Sequence, residues 1–288
     1  MLIGNPMVFR QLPLEMALAK TVDAGFDALE LWPPQIAECR TPALRRQLAK
    51  HICSLGATPL RLNCADCDYF QALRSAADVA TALEGLKADI DMAVDLGMTQ
   101  LLTWEGRQLE SYAAHDLDGW VLDLTCDLFR EALRYASARG VELTVEVHPF
   151  TLGINVDWLA RLFDHLDAPN FSVTYDCCHF GIGLPDGYVH AIDRLSHRIG
   201  HVHFSDSDKH SSELHFAPGT GCLDLDGIVD ALERNGYRGT MMLDLWLYPL
   251  PEEGTRIGVP YVRNVMRRLR LADPPNQGVQ RNHSVGKG

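Results

Sequence analysis

The sequence is dominated by one repeated pattern: a short run rich in Val, Ile, Leu and Thr, followed by a longer segment with helical spacing of its apolar residues. The pattern occurs eight times in 288 residues. The predicted strands cover residues 2–8, 27–31, 58–63, 99–104, 142–148, 171–176, 200–205 and 240–246. The predicted helices cover residues 14–24, 41–54, 75–96, 117–138, 155–167, 186–196, 224–235 and 258–270.

Strands that alternate with helices predict a parallel sheet, and eight such units favour closure into a barrel. An open doubly wound sheet should carry a glycine-rich phosphate loop after its first strand, and residues 4–10, GNPMVFR, contain none. The sequence therefore predicts an α/β protein with a single (β/α)₈ TIM barrel over residues 1–272. Residues 273–288, rich in Pro, Gly, Asn and Gln, are expected to form a flexible tail.

Composition argues against several classes of partner. The net charge of −12 disfavours binding to a nucleic-acid backbone. No run approaches the roughly 18 apolar residues that span a bilayer, and the first residues lack the pattern of a signal peptide. The eight cysteines are dispersed, as is usual for reduced thiols. We expect a cytoplasmic protein that acts on a small molecule, with no nucleic-acid or membrane partner, and that can form a homo-oligomer.

Four consecutive predicted strands end in a polar side chain after an apolar run, namely Glu146, Asp176, His203 and Asp244. Catalytic groups of TIM barrels lie at the carboxyl ends of the strands. A carboxylate that faces a barrel interior is costly unless it is paired or binds a metal, although any one of the four could be a satisfied polar group at a loop start. Three carboxylates and one imidazole suit a divalent ion, with Mn²⁺ the first choice and Mg²⁺, Co²⁺ or Zn²⁺ as alternatives.

Five further side chains at or beyond strand ends are candidates for substrate binding. His148, His179 and Lys209 could hold substrate hydroxyl groups, and the faces of Trp104 and Trp246 could stack on a sugar ring. Each has an ordinary alternative: a loop hydrogen bond for His148, a solvated side chain for Lys209, and packing for the tryptophans.

The motifs resemble those of the xylose-isomerase-like barrel superfamily. The resemblance rests on Asp176-x-x-His179, on His201-x-His203 followed by an acidic residue, and on Pro218-Gly-Thr-Gly221. This superfamily includes ketose 3-epimerases, inosose isomerases and dehydratases, and endonuclease IV-type repair enzymes. The resemblance implies that Glu146, Asp176 and His203 are metal ligands. It also places Asp244 where the family usually has Glu.

The DNA-repair branch of this superfamily is not expected here. Its three-zinc cluster needs histidines from strands 3 and 4, where this chain has Asn63-Cys-Ala-Asp and Thr103-Trp-Glu-Gly. Only Glu213-Leu-His215 is similar to the Asp-x-His element of that branch.

The resemblance implies a metal-dependent isomerase or epimerase that acts on a keto sugar or keto-cyclitol through an enediolate. Glu146 is the expected proton-transferring group and Asp244 its weaker partner. Asp244 is one methylene shorter than Glu, and Leu152 stands where ketose epimerases have a second carboxylate. Both departures strengthen the alternative of a lyase: a keto-cyclitol or dehydroshikimate-type dehydratase, or an enzyme that cleaves C-glycosides of 3-keto sugars. A remote alternative is a non-catalytic binding subunit.

Overall fold

The structure, a computed structural model, describes residues 1–65 and 73–271 and contains a closed barrel of eight parallel strands. The strands follow sequence order around the barrel, and the eighth pairs with the first. They are β1 (Leu2–Gly4), β2 (Ala28–Leu31), β3 (Thr58–Asn63), β4 (Gln100–Thr103), β5 (Glu142–Glu146), β6 (Phe171–Asp176), β7 (Ile199–Phe204) and β8 (Thr240–Leu243). The predicted TIM barrel is confirmed.

Helices connect the strands and cover the outside of the barrel. The α-helices with eight or more residues are Leu14–Asp23, Pro42–Ser54, Ala76–Asp95, Leu122–Ser137, Val156–Leu166, Tyr188–Leu195, Leu225–Arg234 and Pro251–Arg268. Several begin at a side-chain cap, such as Ser75, which accepts a hydrogen bond from the Asp78 N–H. Gly97 and Gly140 follow helix ends with φ angles of 68° and 70°, a left-handed conformation that most residues avoid.

Several element bounds differ from the sequence prediction: the last helix begins at Pro251 and not at residue 258, and strands β5 and β8 end two and three residues early. Two further differences lie near the carboxyl ends of the strands. The first strand ends at Gly4, and Pro6–Phe9 forms a 3₁₀ helix because Asn5 accepts the Met7 N–H and Pro6 suits a first helical turn. A short helix, Cys177–Gly183, begins directly after β6 and was not predicted. Asp176 caps this helix by accepting a hydrogen bond from the His179 N–H, so the helix brings His179 back towards the strand end.

The barrel has an apolar outer layer and a largely polar interior. The residues that face the surrounding helices form one large apolar cluster. Inside the barrel, Ile3, Ala28, Leu60 and Met242 form a small separate apolar cluster. Much of the remaining interior is polar, including the fully buried Arg61. This polar interior lies directly beneath the candidate site.

Three further expectations from the sequence concern membrane-spanning helices, the cysteines and the C-terminal tail. None of the helices in residues 1–65 and 73–271 is long and apolar enough to cross a membrane. Six of the described cysteines, Cys39, Cys53, Cys126, Cys177, Cys178 and Cys222, are free thiols, and Cys67 lies outside the described residues. The predicted tail, residues 273–288, also lies outside them.

Candidate active site

A cavity of about 590 Å³ opens at the carboxyl ends of the strands. Its lining comes from strand ends and the loops that follow them, as expected for a TIM barrel. The lining residues are Asn5, Glu30, Trp32, Asn63, Ala65, Trp104, Glu146, His148, His179, His203, Glu213, His215, Met242, Asp244 and Trp246.

The four predicted metal-ligand residues come together at the base of this cavity. His203 Nδ1 lies 2.7 Å from Glu146 Oε1, 3.4 Å from Asp176 Oδ2 and 3.7 Å from Asp244 Oδ2. All four side chains are buried. One imidazole nitrogen therefore faces the oxygens of three carboxylates. The space between these four atoms is about the size of one metal ion.

The arrangement fits a bound divalent cation. Asp176 Oδ2 and His203 Nδ1 are buried and have no hydrogen-bond partner among the described residues. Ligand atoms about 2.1 Å from a shared ion are separated by roughly 3.0–3.4 Å, close to the spacings seen here. For brevity we refer to this candidate cation site, Glu146, Asp176, His203 and Asp244, as the metal centre.

The electrostatics of the metal centre also call for a positive charge. Burial by itself raises the pKa of Asp176, but the imidazoles of His179, His215 and His203 hold it well below its usual range. Burial lowers the pKa of His203, but the carboxylates of Glu30 and Glu146 raise it well above its usual value. Either an extra proton or a metal ion can provide the charge that these carboxylates attract.

Sequence reasoning did not assign His215 to the site, although its resemblance to an Asp-x-His element was visible. His215 Nδ1 lies 2.7 Å from Asp244 Oδ2 and 3.8 Å from Asp176 Oδ2. The His215 N–H donates to the Trp246 carbonyl, which ties the loop after β7 to the end of β8. The other oxygen of Asp244, Oδ1, accepts a hydrogen bond from the Trp246 N–H.

Two further imidazoles line the cavity beside the metal centre. The rings of His148 and His179 lie 4.3 Å apart, and both Nδ1 atoms lack a hydrogen-bond partner among the described residues. His148 Nε2 lies 3.1 Å from Glu213 Oε1, a contact that sequence reasoning missed because Glu213 is far along the β7 loop. The two free nitrogens can bind groups of a ligand in the cavity.

Three tryptophans of the cavity lining, Trp32, Trp104 and Trp246, form two walls of its mouth. Trp32 and Trp246 follow β2 and β8 and meet edge to face at 5.4 Å. Trp104 and Phe150 follow β4 and β5 and meet in the same manner at 5.0 Å. Because the strands run in sequence order around the barrel, these pairs lie on opposite sides of the mouth. Such walls suit the apolar faces of a ring.

Comparison with known proteins agrees with this geometry. The family model described as "Xylose isomerase-like TIM barrel" matches residues 18–265. The chain belongs to this family. A protein from Streptomyces coelicolor that bears the name of a hydroxypyruvate isomerase is 27% identical over 254 residues, which cover 84% of this chain and 88% of the relative. An inosose dehydratase of Geobacillus thermodenitrificans is 22% identical over 268 residues, 84% of this chain and 83% of the relative.

Solved structures share the same fold. The structure of L-ribulose 3-epimerase matches with a TM-score of 0.76 and 21% identity, over 93% of this chain and 95% of that one. The IOLI protein, solved with a bound zinc atom, matches with a TM-score of 0.75 and 16% identity, over 93% of this chain and 99% of that one. At these identities the likeness concerns the barrel alone.

The Pro218-Gly-Thr-Gly221 motif of this xylose-isomerase-like barrel has a structural explanation. The buried Asp206 carboxylate accepts hydrogen bonds from the N–H groups of Ser207, Gly219, Gly221 and Leu223. A Cβ atom at Gly221 would lie 2.4 Å from Asp206 Oδ1, so only glycine fits. The motif therefore folds the loop around Asp206.

The structure does not bring Lys209 into the cavity. The backbone at Lys209 adopts a φ of 61°, and its amine lies 4.9 Å from the centre of the Tyr188 ring. No Lys or Arg lines the cavity in the described part of the chain, and the sequence of residues 66–72, DCDYFQA, contains neither. Within residues 1–65 and 73–271, the cavity therefore has no permanent side-chain cation.

Another carboxylate near the strand ends, Glu105, is completely buried after β4. It accepts a hydrogen bond from the Gly153 N–H, and its Oε2 has no hydrogen-bond partner among the described residues. Burial raises the pKa of Glu105 to about 7. Glu105 does not belong to the cavity lining, and we assign it no contact with a ligand.

Proposed function

We propose that this chain is a divalent-metal-dependent enzyme that removes the proton next to the carbonyl of a small, uncharged keto sugar or keto-cyclitol. Return of the proton makes the reaction an isomerisation or epimerisation. The observation that carries the proposal is the convergence of Glu146, Asp176 and Asp244 on His203 Nδ1, at the base of a cavity. Isomerases, epimerases and dehydratases among the relatives support the same chemistry.

Glu146, Asp176, His203 and Asp244 would hold the ion, with Mn²⁺ the first choice for three oxygen ligands and one nitrogen. The bound ion would supply Lewis acidity, which stabilises negative charge on the carbonyl and the neighbouring hydroxyl oxygen of the substrate. The unpartnered Nδ1 atoms of His148 and His179 would hold further hydroxyl groups.

Glu146 is the proton-transferring group in this proposal. It lines the cavity, and its Oε1 faces His203. Asp244, predicted from the sequence as its catalytic partner, is held at Oδ1 by a hydrogen bond from the Trp246 N–H, and its Oδ2 lies between His215 Nδ1 at 2.7 Å and His203 Nδ1 at 3.7 Å. We therefore keep Asp244 as a ligand. One proton-transferring carboxylate favours transfer on a single face, as in aldose–ketose isomerisation, over epimerisation that needs groups on both faces.

The cavity favours an uncharged substrate. It lacks Lys and Arg among the described residues, so a substrate phosphate or remote carboxylate would find no cation to bind. The two aromatic walls offer stacking surfaces for a ring. A keto-cyclitol or ring-shaped keto sugar satisfies both features better than a dehydroshikimate-type anion.

A lyase is the second candidate, favoured by the contact between His148 and Glu213. After proton removal, a β-hydroxyl group that takes up a proton from a general acid would leave as water and complete a dehydration. An imidazole that is paired with a carboxylate and lines the cavity is suited to that task.

The test is proton exchange in D₂O with the Mn²⁺-loaded protein, followed by NMR of the substrates. A panel of ketohexoses, inososes and 3-keto glucosides tests uncharged substrates, and hydroxypyruvate tests an anion. We expect α-proton loss from an uncharged compound and a decrease of about 10³-fold in Glu146→Gln. An isomeric product indicates an isomerase, and a dehydrated product indicates a lyase. Absence of exchange across the panel, or full activity in Glu146→Gln, would contradict the proposal.

A further inference from the structure

Beneath the metal centre, Glu30 of β2 contacts the face of His203 that points away from the other carboxylates. Glu30 Oε2 lies 3.3 Å from His203 Nε2, while Glu30 Oε1 accepts a hydrogen bond from Asn63 Nδ2 at 2.7 Å. Both Glu30 and His203 are almost completely buried. Glu30 therefore contacts a predicted ligand from outside the ligand set.

A second metal ion in this lower position is one possible reading, because Glu30, His201 and His203 lie close enough to share one. Arg61 argues against it. Its guanidinium is buried, and Arg61 Nη1 lies 3.4 Å from Glu30 Oε2, the same oxygen that faces His203. A cation at this point would be repelled by a fixed positive charge in a medium that screens poorly.

We propose that Glu30 is the positioning residue of the metal centre. A neutral imidazole carries one N–H, and the hydrogen bond made by one nitrogen determines which nitrogen is free to bind a metal. Glu30 accepts the Nε2–H of His203, which leaves the Nδ1 lone pair facing Glu146, Asp176 and Asp244. Arg61 and Asn63 in turn hold Glu30 in place.

This inference rests on the proposed function, because it assigns the role of Glu30 through the metal. Outer carboxylates that orient a metal-binding histidine typically change metal affinity by 10- to 100-fold. The alternative is that Glu30 only neutralises Arg61, in which case its removal together with Arg61 leaves the metal centre intact.

The experiment titrates the metal-free, full-length protein with MnCl₂ and follows free Mn²⁺ by electron paramagnetic resonance. We expect the Kd for Mn²⁺ to rise 10- to 100-fold in Glu30→Gln. Glu105→Gln is the matched control, since it also removes a fully buried carboxylate, but one that does not line the cavity. The Kd of this variant for Mn²⁺ should stay within about threefold of the wild-type value. A double variant, Glu30→Met with Arg61→Met, removes both buried charges together, which proteins often tolerate.

The outcomes distinguish a Glu30 that positions His203 from a Glu30 that only neutralises Arg61. A cooperatively folded double variant with a Kd raised at least 10-fold supports positioning by Glu30. Wild-type affinity in Glu30→Gln and in the double variant would overturn the inference but leave the proposed function intact. A wild-type protein that binds no Mn²⁺ would overturn both.

Discussion

The metal centre and the polar layer directly beneath it, which we call the lower layer, both contain carboxylates inside the barrel. The two regions differ in the partners that these carboxylates have. In the lower layer, Glu30 is paired with Arg61 and Asn63, and Glu142 accepts hydrogen bonds from Ser172 and Gln100. In the metal centre, three carboxylates share one imidazole, and buried Asp176 and His203 atoms have no hydrogen-bond partner among the described residues.

The difference separates buried carboxylates that have a cation within the protein from buried carboxylates that do not. Buried charges in proteins are normally paired or bound to metals. The lower layer contains its own cation, which balances the charge of Glu30, and its unpartnered atoms, Arg61 Nε and His201 Nε2, are nitrogens and not carboxylate oxygens. The metal centre has three carboxylates and no Lys or Arg beside it in the described residues, so it attracts added positive charge, either as protons on its imidazoles or, as we propose, as a bound metal ion. Glu105 represents a third solution, in which a buried carboxyl group can be neutralised by a proton.

Removal of the guanidinium from the lower layer should have the largest effect on stability. Arg61→Met leaves Glu30 and Glu142 without their buried cation, and we expect the free energy of unfolding to fall by about 3–5 kcal/mol. Urea denaturation of the metal-free protein measures this loss.

The double variant, Glu30→Met with Arg61→Met, sharpens the comparison because it removes the pair as a unit. We expect the double variant to regain at least half of the free energy of unfolding that Arg61→Met alone loses. Equal stability of Arg61→Met and the wild type would mean that the lower layer does not depend on its ion pair.

Glu105 should give a smaller, pH-dependent effect. Burial raises the pKa of Glu105 from 4.5 to about 7, so the folded state binds the proton more tightly than the unfolded state. Its stabilising contribution is therefore fully present below about pH 4.5 and is lost as pH rises through about 7. The change is at most about 3.5 kcal/mol, because each of the roughly 2.5 pKa units corresponds to roughly 1.4 kcal/mol.

The measurement compares the free energies of unfolding of the wild type and Glu105→Gln at pH 5 and pH 8. Glutamine cannot ionise, so the variant should gain stability relative to the wild type as the pH rises. A difference between the two proteins that is constant with pH would show that Glu105 does not carry a raised pKa.

The sequence was sufficient to predict the barrel and the convergence of four strand ends. Glu146, Asp176, His203 and Asp244 each interrupt an apolar run, and a parallel barrel brings the carboxyl ends of its strands together. Glu30 carries the same signal, since it stands between Leu29 and Leu31 in a fully buried strand. Glu30 lies within its strand and not at the end, so the rule that catalytic groups of barrels lie at strand ends does not single it out.

The loop residues could not be placed from sequence in the same way. His215 and Glu213 reach the cavity because the loop after β7 folds around the Asp206 carboxylate and joins β8 through Trp246. Lys209 lies in the same loop but turns towards Tyr188. The direction in which each of these loop side chains points depends on hydrogen bonds between distant segments, and the spacing of residues along the chain does not reveal such bonds.

The most direct test of the account is Mn²⁺ binding by the wild type, Asp176→Asn and Glu142→Gln, with thermal unfolding measured in parallel. We predict about one Mn²⁺ per chain and a stabilisation of about 2.7 kcal/mol at 100 times the Kd in the wild type. Glu142→Gln, altered in the lower layer, should retain both, and Asp176→Asn should lose both. Absence of Mn²⁺ binding by the wild type, or equal binding by Asp176→Asn, would contradict the assignment of the metal centre.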